Sequence, residues 1–132
     1  MFQQTALSLE DAKRVTAAAR VEAEKNGWSV VIAVLDDGGH LMYLERMDGT
    51  QKASSRIAEE KGRSAILFKR PTKALEDVVA EGRTVMMMLP GAVPIEGGVP
   101  LVKDGQFLGG IGVSGVQSFQ DGIIARAGAA VL

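Results

Sequence analysis

The chain has 132 residues, of which 46% are hydrophobic and 23% are charged, and its formal net charge is −1. This length and composition predict one folded domain over residues 1–132 and exclude an intrinsically disordered chain. The lack of a basic segment and an aromatic content of 5% argue against nucleic acid as a partner. The chain has no cysteine, which excludes disulfides and thiolate metal sites.

The N-terminal residues lack the basic and apolar regions of a signal peptide. No apolar run approaches the roughly 20 residues that are needed to span a bilayer. The absence of cysteine fits a reducing compartment. We therefore expect a cytoplasmic protein without a membrane partner.

The first half of the chain predicts a helix, a β-hairpin and two further helices. Ser8 offers an N-cap hydroxyl, and acidic residues follow it in the first turn. The segments 30–35 and 41–46 flank the turn 36–39, which is typical of a hairpin. Pro71 separates the two later helices. The expected elements are a helix at 8–25, strands at 30–35 and 41–46, and helices at 53–68 and 72–82.

The second half predicts another hairpin and a final helix. The segment 84–89 could be a strand or a helix end, because its three methionines show no period. We expect these methionines, 86–88, to fill gaps in the core. The other expected elements are strands at 98–102 and 107–114, and a helix at 121–131 whose buried face is formed by Ile123, Ile124, Ala127 and Val131. Because hairpins dominate, we predict an α+β fold with a mainly antiparallel sheet flanked by helices.

Gly110, Gly112 and Gly115 match the spacing G-x-G-x-x-G. A dinucleotide-binding site also needs a helix that opens at the last glycine, a second parallel strand and an acidic residue about 20 positions later. The chain ends at Leu132, and no acidic residue follows Asp121. The segment is therefore predicted to be a strand whose small residues let another backbone, or a flat ligand, approach closely.

His40 is the single histidine, so a metal site built from several histidines is excluded and no metal is predicted. It follows the first hairpin turn, where a solvated imidazole is the ordinary expectation. The functional alternatives are an acid/base role or ligation of haem iron. Hydrolase chemistry is disfavoured, because the chain has no G-x-S-x-G segment.

Two other groups admit both a structural and a functional interpretation. The segment 96–100, Glu-Gly-Gly-Val-Pro, is either a rigid exposed binding loop or the beginning of a strand. A mixed-charge group on the second helix is typical of a solvated face, and its alternative is a cationic site for a carboxylate or haem propionates. The members of that group are Glu59, Glu60, Lys61, Arg63, Lys69 and Arg70.

Short segments along the whole chain form a recognisable set. They are 32–36 (IAVLD), 38–41 (GGHL), 46–49 (RMDG), 70–72 (RPT), 97–100 (GGVP), 110–115 (GIGVSG), 120–121 (QD) and 125–128 (ARAG). In this order they resemble the GlcG/HbpS-like family, which includes the C-terminal domain of PduO. The resemblance implies a profilin-like fold that often assembles into dimers or larger oligomers.

The resemblance also bears on function. Some family members bind haem, some degrade haem or handle iron, and others are accessory proteins of catabolic pathways. The matching positions include His40, Arg46, Asp48, Lys61 and Asp121. In the HbpS branch a threonine follows the paired glycines, whereas this chain has Val99, which cannot ligate iron.

The resemblance and the residues together favour a small cytoplasmic homo-oligomer that binds a flat or anionic small molecule, with haem as the named candidate. It would serve as an accessory to a catabolic pathway, and His40 or a methionine would approach the haem iron. The expected ligand-binding residues are Arg46, Lys61, Glu96, Gly97, Gly98, Pro100, Gly112 and Ser114.

Two alternatives stay open at this point. The first is an isomerase, deaminase or lyase that acts on a carboxylate substrate. Glu96, Asp121 or His40 would supply acid/base chemistry, and Lys61 or Arg46 would bind the substrate carboxylate. The second is a non-catalytic accessory subunit, which would present a large apolar surface to its partner.

Overall fold

A computed structural model describes residues 1–132. The helices are α1 (Leu9–Lys25), α2 (Ala53–Leu67), α3 (Thr72–Ala80) and α4 (Ser118–Ala129). The strands are β1 (Val31–Asp36), β2 (Leu41–Arg46), β3 (Gly98–Lys103) and β4 (Gln106–Ser114), and a short 3-10 helix spans Thr84–Met88. None of these helices is both long and apolar enough to cross a membrane.

The four strands form one open antiparallel sheet in the order β2-β1-β4-β3. Val31 of β1 pairs with Arg46 of β2 on one side and with Ser114 of β4 on the other. Pro100 lies in β3, at an edge of the sheet, where a missing N–H is tolerated. The predicted α+β, profilin-like arrangement of an antiparallel sheet flanked by helices is confirmed.

Helices cover both faces of the sheet. The side chains of β1 alternate between the two faces, so each face presents apolar residues for a helix to cover. Ile32 and Val34 belong to the larger core, which they share with α1 and α4. Val31 and Ala33 pack on the other face against Ala58 of α2. Burial of each such aliphatic side chain stabilises the fold by about 1.5–3 kcal/mol. The sheet is therefore the middle layer of three.

The glycine-rich segment 110–115 comprises the end of β4 and the residue after it, as predicted. A Cβ atom at Gly112 would overlap the carbonyl oxygen of Ala58, and a Cβ atom at Gly110 would overlap that of Gly62. These glycines let the backbones of α2 and β4 touch. The space at Gly112 is filled by α2, which leaves no room for the ligand that the sequence led us to expect there.

The final helix differs from its prediction. It begins at Ser118, three residues earlier than expected, and the side-chain oxygen of Gln120 accepts the N–H of Gln117 at 3.1 Å before its first turn. Val131 is exposed, so its predicted place in the core is wrong. The buried residues of α4 are Asp121, Gly122, Ile124, Ala125 and Gly128. Small residues therefore form the packing face, which a search for large apolar side chains overlooks.

The methionine segment also differs from its prediction. Thr84–Met88 is a 3-10 helix, neither a strand nor the end of α3, and none of its residues is buried. Met87 and Met88 are exposed, so the expectation of core packing is wrong for both. The reason is placement, because this five-residue segment packs chiefly against α3, outside the three layers.

Candidate functional site

Lys61 lies in the protein interior, although the sequence placed it on a solvated face. Only 2% of the surface of Lys61 is exposed to solvent. The ammonium donates to the carbonyl of Val113 at 3.1 Å and to Oδ2 of Asp121 at 3.1 Å. Ala58, Gly62 and Ala65 are among the other buried positions along this side of α2. Lys61 fits their helical spacing, but a lysine among charged neighbours is not expected to be buried from spacing alone.

Two buried carboxylates lie on the neighbouring segments, Asp121 in α4 and Glu96 in the loop before β3. The Oδ1 atom of Asp121 accepts the N–H of Val116 at 3.2 Å. Glu96 is also buried, and its Oε2 accepts an N–H of the Arg126 guanidinium at 3.2 Å. A Cβ atom at Gly122 would overlap the Glu96 carboxylate. We call Lys61, Glu96, Asp121 and Arg126 the charged seam, because they join α2, the loop before β3 and α4.

Gly97 and Gly98 close the charged seam on the β3 side. Gly97 has a φ of +136°. A Cβ atom there would lie 2.7 Å from the Lys61 ammonium and 2.7 Å from the Val113 carbonyl oxygen. The N–H of Gly98 donates to the hydroxyl of the buried Thr72 at 2.8 Å. The two glycines are therefore required for close packing, and no open binding loop exists here.

The electrostatics of the charged seam follow from its burial. Burial raises the pKa of the Asp121 carboxyl above its ordinary value, although the Lys61 ammonium and the Val116 N–H oppose the shift. No buried side-chain nitrogen or oxygen of the chain lacks a hydrogen-bond partner. A fully satisfied buried network of this kind holds elements in register.

The remaining expected site residues do not join the charged seam. Ser114 donates from its hydroxyl to that of Ser54 at 3.0 Å within the interior. Pro100 is half-buried on β3. Arg46 is exposed at the end of β2, where it lines a shallow cavity of about 430 Å³ with Arg20 and Glu45. The structure thus brings Lys61, Glu96, Gly97, Gly98, Gly112 and Asp121 together, and leaves Arg46 and Pro100 apart.

His40 lies at the opposite end of the sheet from the charged seam. It follows the β1–β2 turn, and Asp36 at this end of β1 pairs with Gly109. The imidazole is 81% exposed, and its Nδ1 lies 3.2 Å from Oδ1 of Asp36. Asp36 also accepts the backbone N–H of Gly38 and of His40, at 2.9 Å each. His40 is therefore solvated, as expected, but its ring is oriented by a carboxylate.

Two backbone N–H groups and one imidazole converge on the Asp36 carboxylate. Burial raises the pKa of Asp36, but the hydrogen bonds from the backbone of His40 and Gly38 and the nearby imidazole outweigh it. The net result is a pKa below the ordinary value. Asp36 therefore stays ionised, and a carboxylate beside Nδ1 favours the tautomer of His40 that carries its proton there.

A second cavity lies at this same end of the molecule and was not predicted. Its volume is about 330 Å³. Asp37 of the β1–β2 turn contributes to its wall, together with Phe2, Ile66, Lys69 and Phe107. We call it the hairpin-end cavity. The ring of Phe2 is exposed to solvent here. The ammonium of Lys69 lies 5.5 Å from the centre of the Phe107 ring.

Sequence reasoning missed this cavity because its walls come from segments far apart in the chain. The N–H of Thr5 donates to the side-chain oxygen of Gln106 at 3.3 Å, which holds the N-terminal segment beside the β3–β4 turn. An aromatic residue near an otherwise polar N-terminus was the only available signal. The structure contains no cluster of three His, Asp or Glu side chains suited to a metal ion.

Comparisons with known proteins agree with this architecture. Residues 7–130 match the family model described as haem degrading protein HbpS-like. Protein GlcG of Escherichia coli K12 is 49% identical over 108 residues, which cover 82% of this chain and 81% of GlcG. The corrinoid adenosyltransferase PduO of Salmonella typhimurium is 34% identical over 131 residues, which cover 96% of this chain but only 39% of PduO.

Solved structures extend the likeness to three dimensions. A variant of Streptomyces reticuli HbpS superposes with a TM-score of 0.91 at 36% identity, covering 100% of this chain and 90% of HbpS. PduOC in complex with haem superposes with a TM-score of 0.87 at 32% identity, covering 97% of this chain and 96% of PduOC. The resemblance read from the short sequence segments is confirmed, and the chain belongs to the HbpS-like family.

Proposed function

We propose that this protein binds haem, or another flat anionic small molecule, at the hairpin-end cavity. Two observations support the proposal. PduOC, a structural relative at 32% identity, is known as a complex with haem. In the hairpin-end cavity, aromatic rings and an unpaired cation line the same space. The proposal moves the ligand away from residues 96–98, which are buried in or against the charged seam.

The donor set at this end of the molecule fits haem. Its iron takes a nitrogen, sulfur or oxygen donor, and His40 offers an exposed imidazole whose Nδ1 faces Asp36. Its flat apolar ring requires apolar walls, which Phe2, Phe107 and Ile66 provide. His40 does not line the hairpin-end cavity itself, but it follows the turn whose Asp37 does. In this proposal His40 would hold the iron of a ligand that projects from the cavity, and the two phenyl rings would contact the macrocycle. Bound haem would supply an iron centre for exchange of ligands or electrons.

The volume of the hairpin-end cavity limits how much of a ligand it can enclose. A volume of about 330 Å³ lies near the lower end of the range for small-molecule sites, about 300–1,000 Å³. A ligand as large as haem therefore projects from the hairpin-end cavity into solvent. We further propose that the protein is a homo-oligomer and serves as an accessory in catabolism, and that a second copy covers part of such a ligand.

A titration with haemin, followed by absorbance, tests the binding proposal. We expect a shifted Soret band that saturates at one haemin per chain in the wild type. His40→Ala should remove the shift, whereas Arg46→Ala should retain it, because Arg46 lies outside the hairpin-end cavity. A wild-type spectrum equal to that of free haemin, or an unchanged titration in H40A, would contradict the proposal.

Acid/base catalysis by Glu96 or Asp121 has less support. Asp121 does have a raised pKa, as a catalytic acid requires. However, both carboxylates are buried and already hydrogen-bonded. Neither residue lines the hairpin-end cavity or the cavity beside Arg46. A substrate would have to displace the contacts of the charged seam before it could reach them.

A further inference from the structure

Lys69 has an unusual backbone conformation at the edge of the hairpin-end cavity. Its φ is +53°, in the left-handed region. It is the residue after the C-cap of α2, where its N–H donates to the carbonyl of Ile66 at 3.2 Å. The N–H of Arg70 donates to the carbonyl of Ala65 at 3.1 Å, which completes a Schellman-type end. Glycine is the usual residue at this position, because it adopts the conformation without strain.

The other positive φ angles of the chain have simple explanations. Eight belong to glycine residues. The one remaining residue is Asp104, with a φ of +51°, in the two-residue turn between β3 and β4. Aspartate is favoured in such turns. Lys69 is therefore the single left-handed residue whose type its local structure does not explain.

The position of the Lys69 side chain suggests a reason for a lysine, rather than a glycine, in this backbone conformation. Its ammonium forms none of the ion pairs in the chain, although other lysines and arginines beside acidic residues do. It lines the hairpin-end cavity and lies 5.5 Å from the centre of the Phe107 ring. Asp37 lines the same cavity but forms no ion pair with Lys69. A cation placed over an aromatic wall and outside every ion pair of the chain is arranged to receive an anion from outside.

We propose that Lys69 is the specificity-determining residue of the hairpin-end cavity, and that it selects ligands carrying a carboxylate next to a flat aromatic body. This inference rests on the proposed function and adds the ligand class. A glycine at position 69 would end α2 with less strain but would place no charge in the cavity. The ordinary alternative is that Lys69 only complements the negative end of the α2 dipole.

Three variants separate these interpretations. K69G removes both the strain and the charge, and we expect its melting temperature to rise by about 3 °C. K69M keeps the strain and removes the charge, and K69R keeps both. Binding is measured with two probes, haemin and haemin dimethyl ester, which retains iron but has no free carboxylate.

The inference predicts a specific pattern of affinities. K69G and K69M should bind haemin about threefold to fivefold more weakly than the wild type, which is the strength of an exposed ion pair. K69R should bind haemin as the wild type does, and all four proteins should bind the ester equally. A rise in stability without loss of haemin affinity in K69G would overturn the inference and leave the proposed function intact. Failure of the wild type to bind either probe would instead overturn the proposed function.

Discussion

The Lys61 ammonium has two oxygen partners, the Val113 carbonyl and the Asp121 carboxylate, and almost no contact with solvent. An isolated buried charge is very unfavourable, whereas a paired and hydrogen-bonded one is tolerated. The two residues are 60 positions apart in the chain. Their pairing therefore constrains where α2 and α4 lie relative to β4.

Removing either partner should destabilise the protein strongly. We expect Asp121→Asn and Lys61→Met each to lower the free energy of unfolding by about 3–5 kcal/mol, because each leaves one buried charge unpaired. The measurement is urea unfolding followed by the fluorescence of Trp28, the single tryptophan. The double variant K61M/D121N should recover part of the loss. Additive losses in the double variant would contradict the coupling.

The pH dependence of the K61M variant gives a second test of the same pair. Burial already raises the pKa of Asp121 in the wild type, and loss of the ammonium removes a group that opposes this shift. The carboxyl of K61M can therefore become neutral at higher pH than in the wild type. We expect the stability deficit of K61M to shrink as the pH falls through the folded-state pKa of this carboxyl. A deficit that stays constant with pH would show that Asp121 is not buried as a charge.

The pKa of Asp36 is shifted in the opposite direction to that of Asp121, so its effect on stability should have the opposite pH dependence. Its pKa in the folded protein lies below the ordinary value, so its ionised form stabilises the fold at neutral pH. That stabilisation is present above the unfolded pKa and is lost as the pH falls through the folded pKa. Between about pH 5 and about pH 2, wild-type stability should fall more steeply than that of Asp36→Asn. Parallel pH profiles from chemical unfolding would contradict this assignment.

At the scale of elements, the contact between α2 and β4 depends on the absence of side chains. Gly62 on α2 and Gly110 and Gly112 on β4 meet backbone to backbone. Bulkier residues would have to push the helix away from the sheet. The loss would extend to Lys61, which reaches Val113 only because α2 lies this close.

Gly112→Ala should therefore be severely destabilising, by about 3 kcal/mol or more, because its Cβ atom would collide with the Ala58 carbonyl. Gly91→Ala is the matched control. It has open space around the added Cβ atom but a φ of +81°, so it should lose only about 1 kcal/mol. Thermal unfolding by circular dichroism measures both. Equal losses in the two variants would mean that conformation matters here more than the collision.

Most elements could be predicted from the sequence, because their signals are local. Ser8 caps α1 as expected, with its hydroxyl accepting the N–H of Asp11 at 3.0 Å. The hairpin turns also follow from local residue preferences. The packing face of α4 and the burial of Lys61 could not be predicted in this way, since both depend on which small residues allow close approach. The hairpin-end cavity depends on residues that only the finished fold brings together.

At the scale of the whole molecule, the 3-10 helix and the residues after it carry an exposed apolar surface. Val85, Met87 and Met88 are all more than half exposed. Exposed apolar patches on soluble proteins often mark contacts between chains. This surface is our proposed contact between copies of the protein.

Charge placed on this surface should separate the copies. We expect the double variant M87E/M88E to elute as a smaller species than the wild type, with molar mass measured by light scattering during size-exclusion chromatography. Val21→Glu, on the exposed side of α1, is the matched control and should leave the mass unchanged. A wild type that is already monomeric, or a double variant of unchanged mass, would contradict the proposed contact.

The close contact between the backbones of α2 and β4 also affects which amide hydrogens exchange with solvent first. β4 is hydrogen-bonded to strands on both sides and is covered by α2 on one face and α4 on the other. Amide hydrogens exchange with solvent only when their bonds open. We expect deuterium to enter the edge strands β2 and β3 early and to reach Ile111 and Val113 last. Those amides would report global unfolding, and their exchange would measure the full stability of the protein without denaturant.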